Sequence, residues 1–366
     1  MNCLNSNQPL RFHWSLSQAG NQLRRSQSTD RMSGVMSFAA QLELCLLAEN
    51  CGIESMLMAI GFTRPDPLAL SVALGARTQS IKFMVACRAG LISPTLFVQQ
   101  MNTLSQLTSG RVSVNMVAGH SPGEMGYYGD FLKHDERFER MDEFLAVCRA
   151  YWRNAGPVNF SGKHYLIEDG RINTPHADER DEGPEIYLGG NSELAAEIAE
   201  RRADCLWMLA EAPEAIAPRI EKLLRAGRDA GILVALIARS THDEAVAAAG
   251  GLIEELGESA LEANRKFADQ SDSVAFKRVY GMAGKDDENW VTPRLWAGAV
   301  PYLGAPSIAL VGSFDEVADA LFEYRAAGVS QFLFLGWPDD AEMKRFGEEI
   351  LPRVRRRETR EREETK

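Results

Sequence analysis

Residues 81–119 read IKFMVACRAGLISPTLFVQQMNTLSQLTSGRVSVNMVAG, and their pattern indicates the class of fold. Two short apolar runs, Ile81–Arg88 and Val112–Ala118, flank a segment of helical periodicity at Pro94–Leu107. Ser93 followed by Pro94 is typical of a helix start, and Gly110 is typical of a helix end. Because the runs are mostly apolar on both faces, they predict parallel strands that are covered on both sides.

The same alternation of strand and helix continues along nearly the whole chain, with no break in composition. The predicted strands are Arg11–Ser17, Ser55–Ile60, Ile81–Arg88, Val112–Ala118, Glu185–Leu188, Asp204–Leu209, Leu233–Arg239 and Gln331–Leu335. The predicted helices are Val35–Cys51, Asp66–Arg77, Pro94–Leu107, Asp135–Trp152, Ser192–Arg202, Pro213–Ala230, Asp243–Leu256 and Phe314–Ala327. Eight such units favour one α/β domain, a closed (β/α)₈ TIM barrel, over two doubly wound domains.

The chain has 366 residues, more than the roughly 250 of a bare barrel. The surplus is assigned to loop insertions, chiefly at the C-terminal face: Gln18–Gly34, His120–Lys133, Ala155–Gly183 and Gly257–Pro306. We expect residues 1–354 to form the single barrel domain, with the insertion 257–306 as a lid. Residues 355–366 are rich in alternating charges and are expected to be a disordered tail.

Charge and cysteine usage limit the classes of partner. A formal net charge of −11 disfavours nonspecific binding to nucleic acid or to anionic membranes, although it leaves an anionic small substrate possible. No secretory signal is visible and no apolar run approaches about 18 residues. The six cysteines form no CxxC pair and favour free thiols, so a cytoplasmic protein is expected.

Common catalytic signatures are missing. The sequence has no GxGxxG after a strand, no GxxxxGK[ST], no HExxH and no GxSxG. Its six histidines are dispersed, so no metal site is predicted.

Two local patterns are candidates for ligand binding. In YLGGNSEL, residues 187–194, a strand runs through two glycines into a helix, and backbone N–H groups at such a helix start can hold a phosphate. The alternative is a tight turn with Ser192 as a helix cap. Asn115 is a polar residue inside an apolar strand, and either a ligand or a structural partner within the barrel would satisfy its side chain.

Several segments in order along the chain resemble one family: ISPT, LTSGRVSVNMVAGHSPGE, FLKHDERFERMDEF, EIYLGGNSELAAEIAE, TPRLWAGAV and ALVGSFDEVADALFEYRAAGVSQFLFLGWP. Together they are similar to the bacterial luciferase-like flavin-dependent monooxygenases, especially the alkanesulfonate monooxygenase branch. The resemblance covers about Arg11 to Val354. It implies a (β/α)₈ barrel that uses reduced FMN and O₂, with the flavin reduced by a separate NAD(P)H-dependent reductase.

The resemblance also implies roles for individual residues. The expected cofactor-binding residues are Ile60, Gly61, Asn115, Glu124, Arg137, Phe138, Gly189, Gly190, Asn191 and Ser192. Among them, residues 189–192 would hold the FMN phosphate and Asn115 would bind the isoalloxazine edge. Phe138 stands where the family has tyrosine, so one phosphate hydrogen bond is missing.

The sequence departs from the alkanesulfonate branch at the positions that bind the sulfonate. Polar or cationic residues of that branch are replaced by Gln18, Arg64, Leu233, Ala235, Leu303, Trp337 and Asp339. Sulfonate cleavage is therefore disfavoured. The expected substrate pocket consists of Gln18, Arg64, Trp207, Leu233, Ala235, Tyr302 and Trp337, and the candidates for a catalytic role are Arg64 and Gln18.

The resemblance thus implies a two-component monooxygenase. A C4a-(hydro)peroxyflavin would transfer one oxygen atom to a small organic substrate. The alternatives are a deazaflavin-dependent oxidoreductase, as in other branches of the superfamily, and a noncatalytic flavin-binding protein. Homodimers or homotetramers are expected from the family.

Overall fold

The computed structural model describes residues 8–16, 37–62, 64–119, 121–177, 183–269, 271–283 and 289–364. Twelve strands are found in these ranges: β1 Arg11–Ser15, β2 Ser55–Met58, β3 Lys82–Cys87, β4 Val112–Val117, β5 Val158–Ser161, β6 Leu166–Gly170, β7 Glu185–Gly189, β8 Cys205–Leu209, β9 Asp229–Arg239, β10 Leu295–Trp296, β11 Ala309–Ser313 and β12 Gln331–Gly336.

Eight of these strands form a closed parallel barrel. The order is β12-β1-β2-β3-β4-β7-β8-β9, and β9 closes the ring because it pairs with both β8 and β12. These are the eight strands that the sequence predicted, and the (β/α)₈ barrel is confirmed. One boundary differs: β9 begins at Asp229, inside the predicted helix Pro213–Ala230. That helix ends at Arg225 because Gly227 has a φ of 72°, in the left-handed region that terminates helices.

The α-helices surround the barrel or belong to its insertions: α1 Phe38–Asn50, α2 Pro67–Gly75, α3 Pro94–Thr108, α4 Pro122–Tyr127, α5 His134–Trp152, α6 Glu193–Arg202, α7 Pro213–Arg225, α8 His242–Asp269, α9 Val274–Tyr280, α10 Val300–Leu303, α11 Phe314–Ala326, α12 Asp339–Arg345 and α13 Leu351–Glu364. Gly257, with a φ of 63°, interrupts α8 where the predicted fourth insertion begins. None of the helices in the described ranges is long and apolar enough to cross a membrane.

Alternation along the strands separates two apolar layers. On β1, Phe12 and Trp14 face the surrounding helices, and the Phe12 ring stacks on Phe332 and Phe334 of β12. The barrel interior is filled by a separate cluster that includes Met84. This cluster forms the floor beneath the carboxyl ends of the strands.

Below that floor, the amino-terminal end of the barrel holds a polar network. Arg11 donates hydrogen bonds to Glu185 at 2.6 and 2.8 Å, to Glu54 at 2.8 Å and to the Tyr187 hydroxyl at 3.1 Å. His13 is fully buried, with its ring nitrogens 2.7 Å from Ser55 Oγ and 3.0 Å from Gln331 Oε1.

These contacts set the charges of the network. Burial lowers the pKa of His13 to about 4. Burial opposes ionisation of Glu54, but the hydrogen bonds and charge of Arg11 prevail and lower its pKa to about 2. The network therefore holds ionised carboxylates and a neutral imidazole.

Residues 355–364 are not disordered as expected, since they belong to α13. Glu358 is buried and accepts a hydrogen bond from Leu10 N at 2.6 Å. Arg357 pairs with Asp319 of α11 at 3.0 Å and lies 4.0 Å from the Phe322 ring centroid. Charges spaced three and four residues apart pair along the helix, and cation–π contact fixes it to the barrel. The predicted boundary at residue 354 thus falls within a helix.

The third predicted insertion, Ala155–Gly183, contains the antiparallel hairpin β5–β6. The fourth, Gly257–Pro306, contains the end of α8 together with α9, β10 and α10. Strand β11 was not predicted; it pairs with the end of β9 and extends the sheet beyond the barrel.

Candidate active site

A cavity of about 330 Å³ opens at the carboxyl ends of the barrel strands. This is the end of a (β/α)₈ barrel at which enzymes bind their substrates. Ten of the residues singled out in the sequence line it: Ile60, Arg64, Asn115, Phe138, Gly189, Gly190, Asn191, Ser192, Trp207 and Leu233. The fold therefore brings together residues that are up to 173 positions apart in the sequence.

The turn from β7 to α6 forms one wall of the cavity. Ser192 caps α6, because its hydroxyl accepts a hydrogen bond from Ala195 N at 3.1 Å. Gly190 is required here, since a Cβ atom on it would lie 2.6 Å from the Ala195 Cβ. The turn thus combines a close-packed glycine with the N-terminus of a ten-residue helix, an arrangement that favours an anion.

Asn115 on β4 supplies a polar atom to the cavity. Its side chain is buried, and its Oδ1 has no hydrogen-bond partner among the described residues. Leaving a buried amide oxygen unpaired costs about 1–3 kcal/mol, so such an atom in a cavity indicates a ligand that donates a hydrogen bond. Trp207 Nε1 is also buried and has no hydrogen-bond partner within the described ranges, so it can donate a hydrogen bond to a ligand.

Arg88 was not predicted as a site residue, but it lines the cavity beside these groups. Its buried guanidinium donates to Glu124 Oε1 at 2.8 Å, and its Nε and Nη1 make no hydrogen bond within the described part of the chain. The position of a charged residue at the end of the apolar strand Ile81–Arg88 was the sequence signal that could have identified it.

Glu124 and Gly61 lie at the edge of the site rather than in the lining of the cavity. Glu124 is buried and accepts from Arg88 and from Phe62 N at 3.3 Å. A Cβ atom on Gly61 would lie 3.5 Å from Glu124 Oε1. Glu124 therefore orients Arg88 and the segment that follows β2.

Arg137 and Phe138, adjacent at the start of α5, have different surroundings. Phe138 lines the cavity. Arg137 is buried outside it and donates to the carbonyl oxygens of Ala118 and Leu132 and to Asp272 Oδ2 at 2.7 Å. In this structure Arg137 joins the ends of β4 and α5 to the fourth insertion.

The predicted substrate residues divide into two groups. Arg64, Trp207 and Leu233 line the cavity. Ala235 and Trp337 belong instead to an apolar cluster around β9, β11 and the fourth insertion. Tyr302 lies in α10, also outside the cavity lining, and Gln18 lies outside the described residues.

The fourth insertion contributes to the cavity directly. Residues Ser273 to Phe276, at the start of α9, line it opposite the barrel strands. Two ion pairs flank this segment: Asp272 with Arg137 at 2.7 Å, and Arg278 with Glu211 at 3.3 Å. The insertion is therefore a wall of the site.

The chain matches one family model and several solved structures. The model of the family described as luciferase-like monooxygenase matches residues 11–331. Among solved structures, the chain is similar to the EDTA monooxygenase of Chelativorans sp. BNC1, with 17% identity, a TM-score of 0.71 and coverage of 96% of this chain and 94% of that one.

It is also similar to a long-chain alkane monooxygenase, with 20% identity, a TM-score of 0.72 and coverage of 96% and 92%. A third similar structure is the coenzyme F420-dependent tetrahydromethanopterin reductase of Methanopyrus kandleri, with 17% identity, a TM-score of 0.64 and coverage of 95% and 100%. At these identities the structural likeness shows the shared barrel fold.

Proposed function

The chain belongs to the luciferase-like monooxygenase family, and we propose that it is a monooxygenase that uses reduced FMN and O₂ to insert one oxygen atom into a small organic substrate. The observation that carries this proposal is the pairing of an anion-binding turn, Gly189–Ser192, with the unpaired Oδ1 of Asn115 in one cavity. FMN has the two matching groups, a phosphate and a flavin ring edge with an N–H donor.

The residues present fit this cofactor in three respects. Gly190 lets the turn pack closely against the start of α6, where a Cβ atom would collide with Ala195. Backbone N–H groups in the first turn of α6 lack partners within the helix and can bind phosphate oxygens. Apolar lining from Leu57, Ala86 and Leu333 provides a surface for the flavin ring.

Bound reduced FMN would supply the activation of O₂, and the protein would supply orientation and exclusion of water. Asn115 would fix the ring edge, while residues 273–276 of the fourth insertion would cover the cavity. Arg88 and Arg64 would hold an oxygen-bearing group of the ligand. The buried Nε and Nη1 of Arg88 each need an acceptor, and none is found among the described protein atoms.

The substrate we propose is not an alkanesulfonate. Leu233 lines the cavity where that branch has an arginine, so one cationic contact for a sulfonate is absent. Trp207 and Leu233 instead present apolar surface, which favours an organic substrate with at least one apolar face. Reduced FMN would come from a separate NAD(P)H-dependent reductase.

Anaerobic titration followed by mixing with O₂ tests the proposal. Reduced FMN should bind more tightly than a reduced deazaflavin coenzyme, and the bound flavin should release hydrogen peroxide more slowly than free reduced FMN does. Tighter binding of the deazaflavin would favour the alternative of hydride transfer. Peroxide release at the rate of free flavin, with every candidate substrate, would contradict the monooxygenase proposal.

A further inference from the structure

A buried carboxylate lies behind the Gly189–Ser192 turn, on the side away from the cavity. Glu211, just after β8, is 5% exposed. One of its oxygens, Oε1, accepts from Asn191 Nδ2 at 3.2 Å, from Arg219 of α7, and from Arg278 of α9 at 3.3 Å. The cavity is not lined by Glu211, Arg219 or Arg278.

Arg219 holds Asn191 in two ways. Its Nη2 donates to the backbone oxygen of Asn191 at 3.0 Å, and its Nη1 binds the Glu211 oxygen that accepts from the Asn191 side chain. On the other side, Asn191 Oδ1 accepts from Leu209 N at 3.1 Å. Both ends of the Asn191 amide are thus engaged with the protein, so its side chain fixes the turn.

The charges behind the turn also favour a phosphate. Two arginines share one carboxylate, which leaves one net positive charge next to the N-terminus of α6. A helix N-terminus and a nearby cation both stabilise an anion at the turn. A flavin without a phosphate gains nothing from either feature.

We propose that Arg219 is a positioning residue that makes the site selective for a phosphorylated flavin over an unphosphorylated one. It acts through Asn191 and Glu211 by holding the turn in its anion-binding shape. This inference rests on the proposed function, because it assumes that the turn holds the phosphate of FMN.

Anaerobic titrations of the full chain with reduced FMN and with reduced riboflavin separate the phosphate from the ring. Arg219→Met should raise the FMN dissociation constant about tenfold, equivalent to about 1.4 kcal/mol, because it removes the hydrogen bonds and the charge. Riboflavin affinity should change less than about twofold, since the ring contacts remain. Arg225→Met on the same helix, an exposed residue paired with Glu221, is the control for loss of charge and should leave both affinities unchanged.

A purely structural role would weaken both flavins equally, and that result would overturn the inference. Unchanged FMN preference in Arg219→Met, with a wild-type protein that does prefer FMN, would also overturn it while leaving the proposed function intact. A wild-type protein that binds riboflavin as tightly as FMN would contradict the phosphate assignment itself.

Arg219→Lys keeps the charge but cannot bind Asn191 and Glu211 with one planar group. We expect it to lose part of the FMN preference. If Arg219→Met does not fold, full preference in Arg219→Lys would contradict the positioning role.

Discussion

The barrel has two buried polar regions that differ in how well their groups are paired. At the amino-terminal end, Arg11 reaches two carboxylates and a hydroxyl, and both nitrogens of His13 have partners. At the carboxyl end, Asn115 Oδ1 and two guanidinium nitrogens of Arg88 have no hydrogen-bond partner in the described ranges. The first region satisfies its polar groups within the protein, while the second needs a ligand to do so. Substitutions should therefore affect stability in the first region and ligand affinity in the second.

The largest effect should come from breaking the paired region. Arg11→Met leaves Glu54 and Glu185 without their main cationic partner. We expect it to reduce the free energy of unfolding by about 3 kcal/mol, at the low end of the effect of breaking a buried ion pair because Arg11 is partly exposed. Urea unfolding measures this. Arg171→Met, at an exposed ion pair with Asp169, is the control and should change stability by less than about 0.5 kcal/mol. Equal losses in the two variants would refute the role of the network.

Acid should weaken the same region through His13. Because the folded protein lowers the pKa of His13 from 6.5 to about 4, its contribution is complete above pH 6.5 and is lost as the pH falls toward 4. The expected loss is about 2–3 kcal/mol, measured by urea unfolding across this window. Nearby Glu54 has its pKa lowered from 4.5 to about 2, so its own contribution is lost only below about pH 4.5, at the acid end of the window. His13→Gln should flatten the dependence, and an unchanged slope in this variant would contradict the assignment.

Two buried asparagines, one with an unpaired oxygen and one fully paired, test the same contrast. Asn115→Leu should raise the dissociation constant for reduced FMN about tenfold and should not reduce the free energy of unfolding, because no protein partner of Oδ1 is lost. Asn102, buried outside the cavity, accepts from Trp152 Nε1 at 2.9 Å and donates to Thr174 O at 2.7 Å. Asn102→Leu should therefore reduce stability by about 2 kcal/mol and leave FMN affinity unchanged. The reverse pattern would contradict the ligand-binding role of Asn115.

The smallest effect concerns α13. Arg357→Ala removes contacts with Asp319 and the Phe322 ring and should cost about 0.5–1 kcal/mol, because the side chain is partly exposed. Arg356→Ala, an exposed position on the same helix, is the matched control. If Arg357→Ala matched Arg356→Ala in urea unfolding, α13 would not be anchored as described.

The sequence was sufficient to predict the barrel and much of its cavity. Apolar strands such as 331–335 indicate parallel sheet by their pattern alone, and the glycine turn at 189–192 is local, so both could be found by reading along the chain. The pairing of Arg137 with Asp272 joins residues 135 positions apart and depends on how the fourth insertion packs. Arg219 and Glu211 were missed for the same reason. The local sequence of a helix or a loop does not show which distant groups its side chains will contact.

The tail shows a different limit. Its charged composition suggests disorder, but the same charges become pairs once a helix places them four residues apart and beside α11. Amino-acid composition alone does not predict this arrangement of the charges in a helix. Likewise, Ala235 and Leu233 lie two residues apart on β9, yet only Leu233 lines the cavity, because β11 and the fourth insertion pack against the end of the strand.

A crystal structure of the protein grown with FMN would show where the phosphate and the flavin ring bind. We expect the phosphate at the backbone N–H groups of Asn191 and Ser192 and the flavin ring edge within hydrogen-bond distance of Asn115 Oδ1. A flavin bound with its phosphate elsewhere, or with Asn115 still lacking a partner, would contradict this expectation.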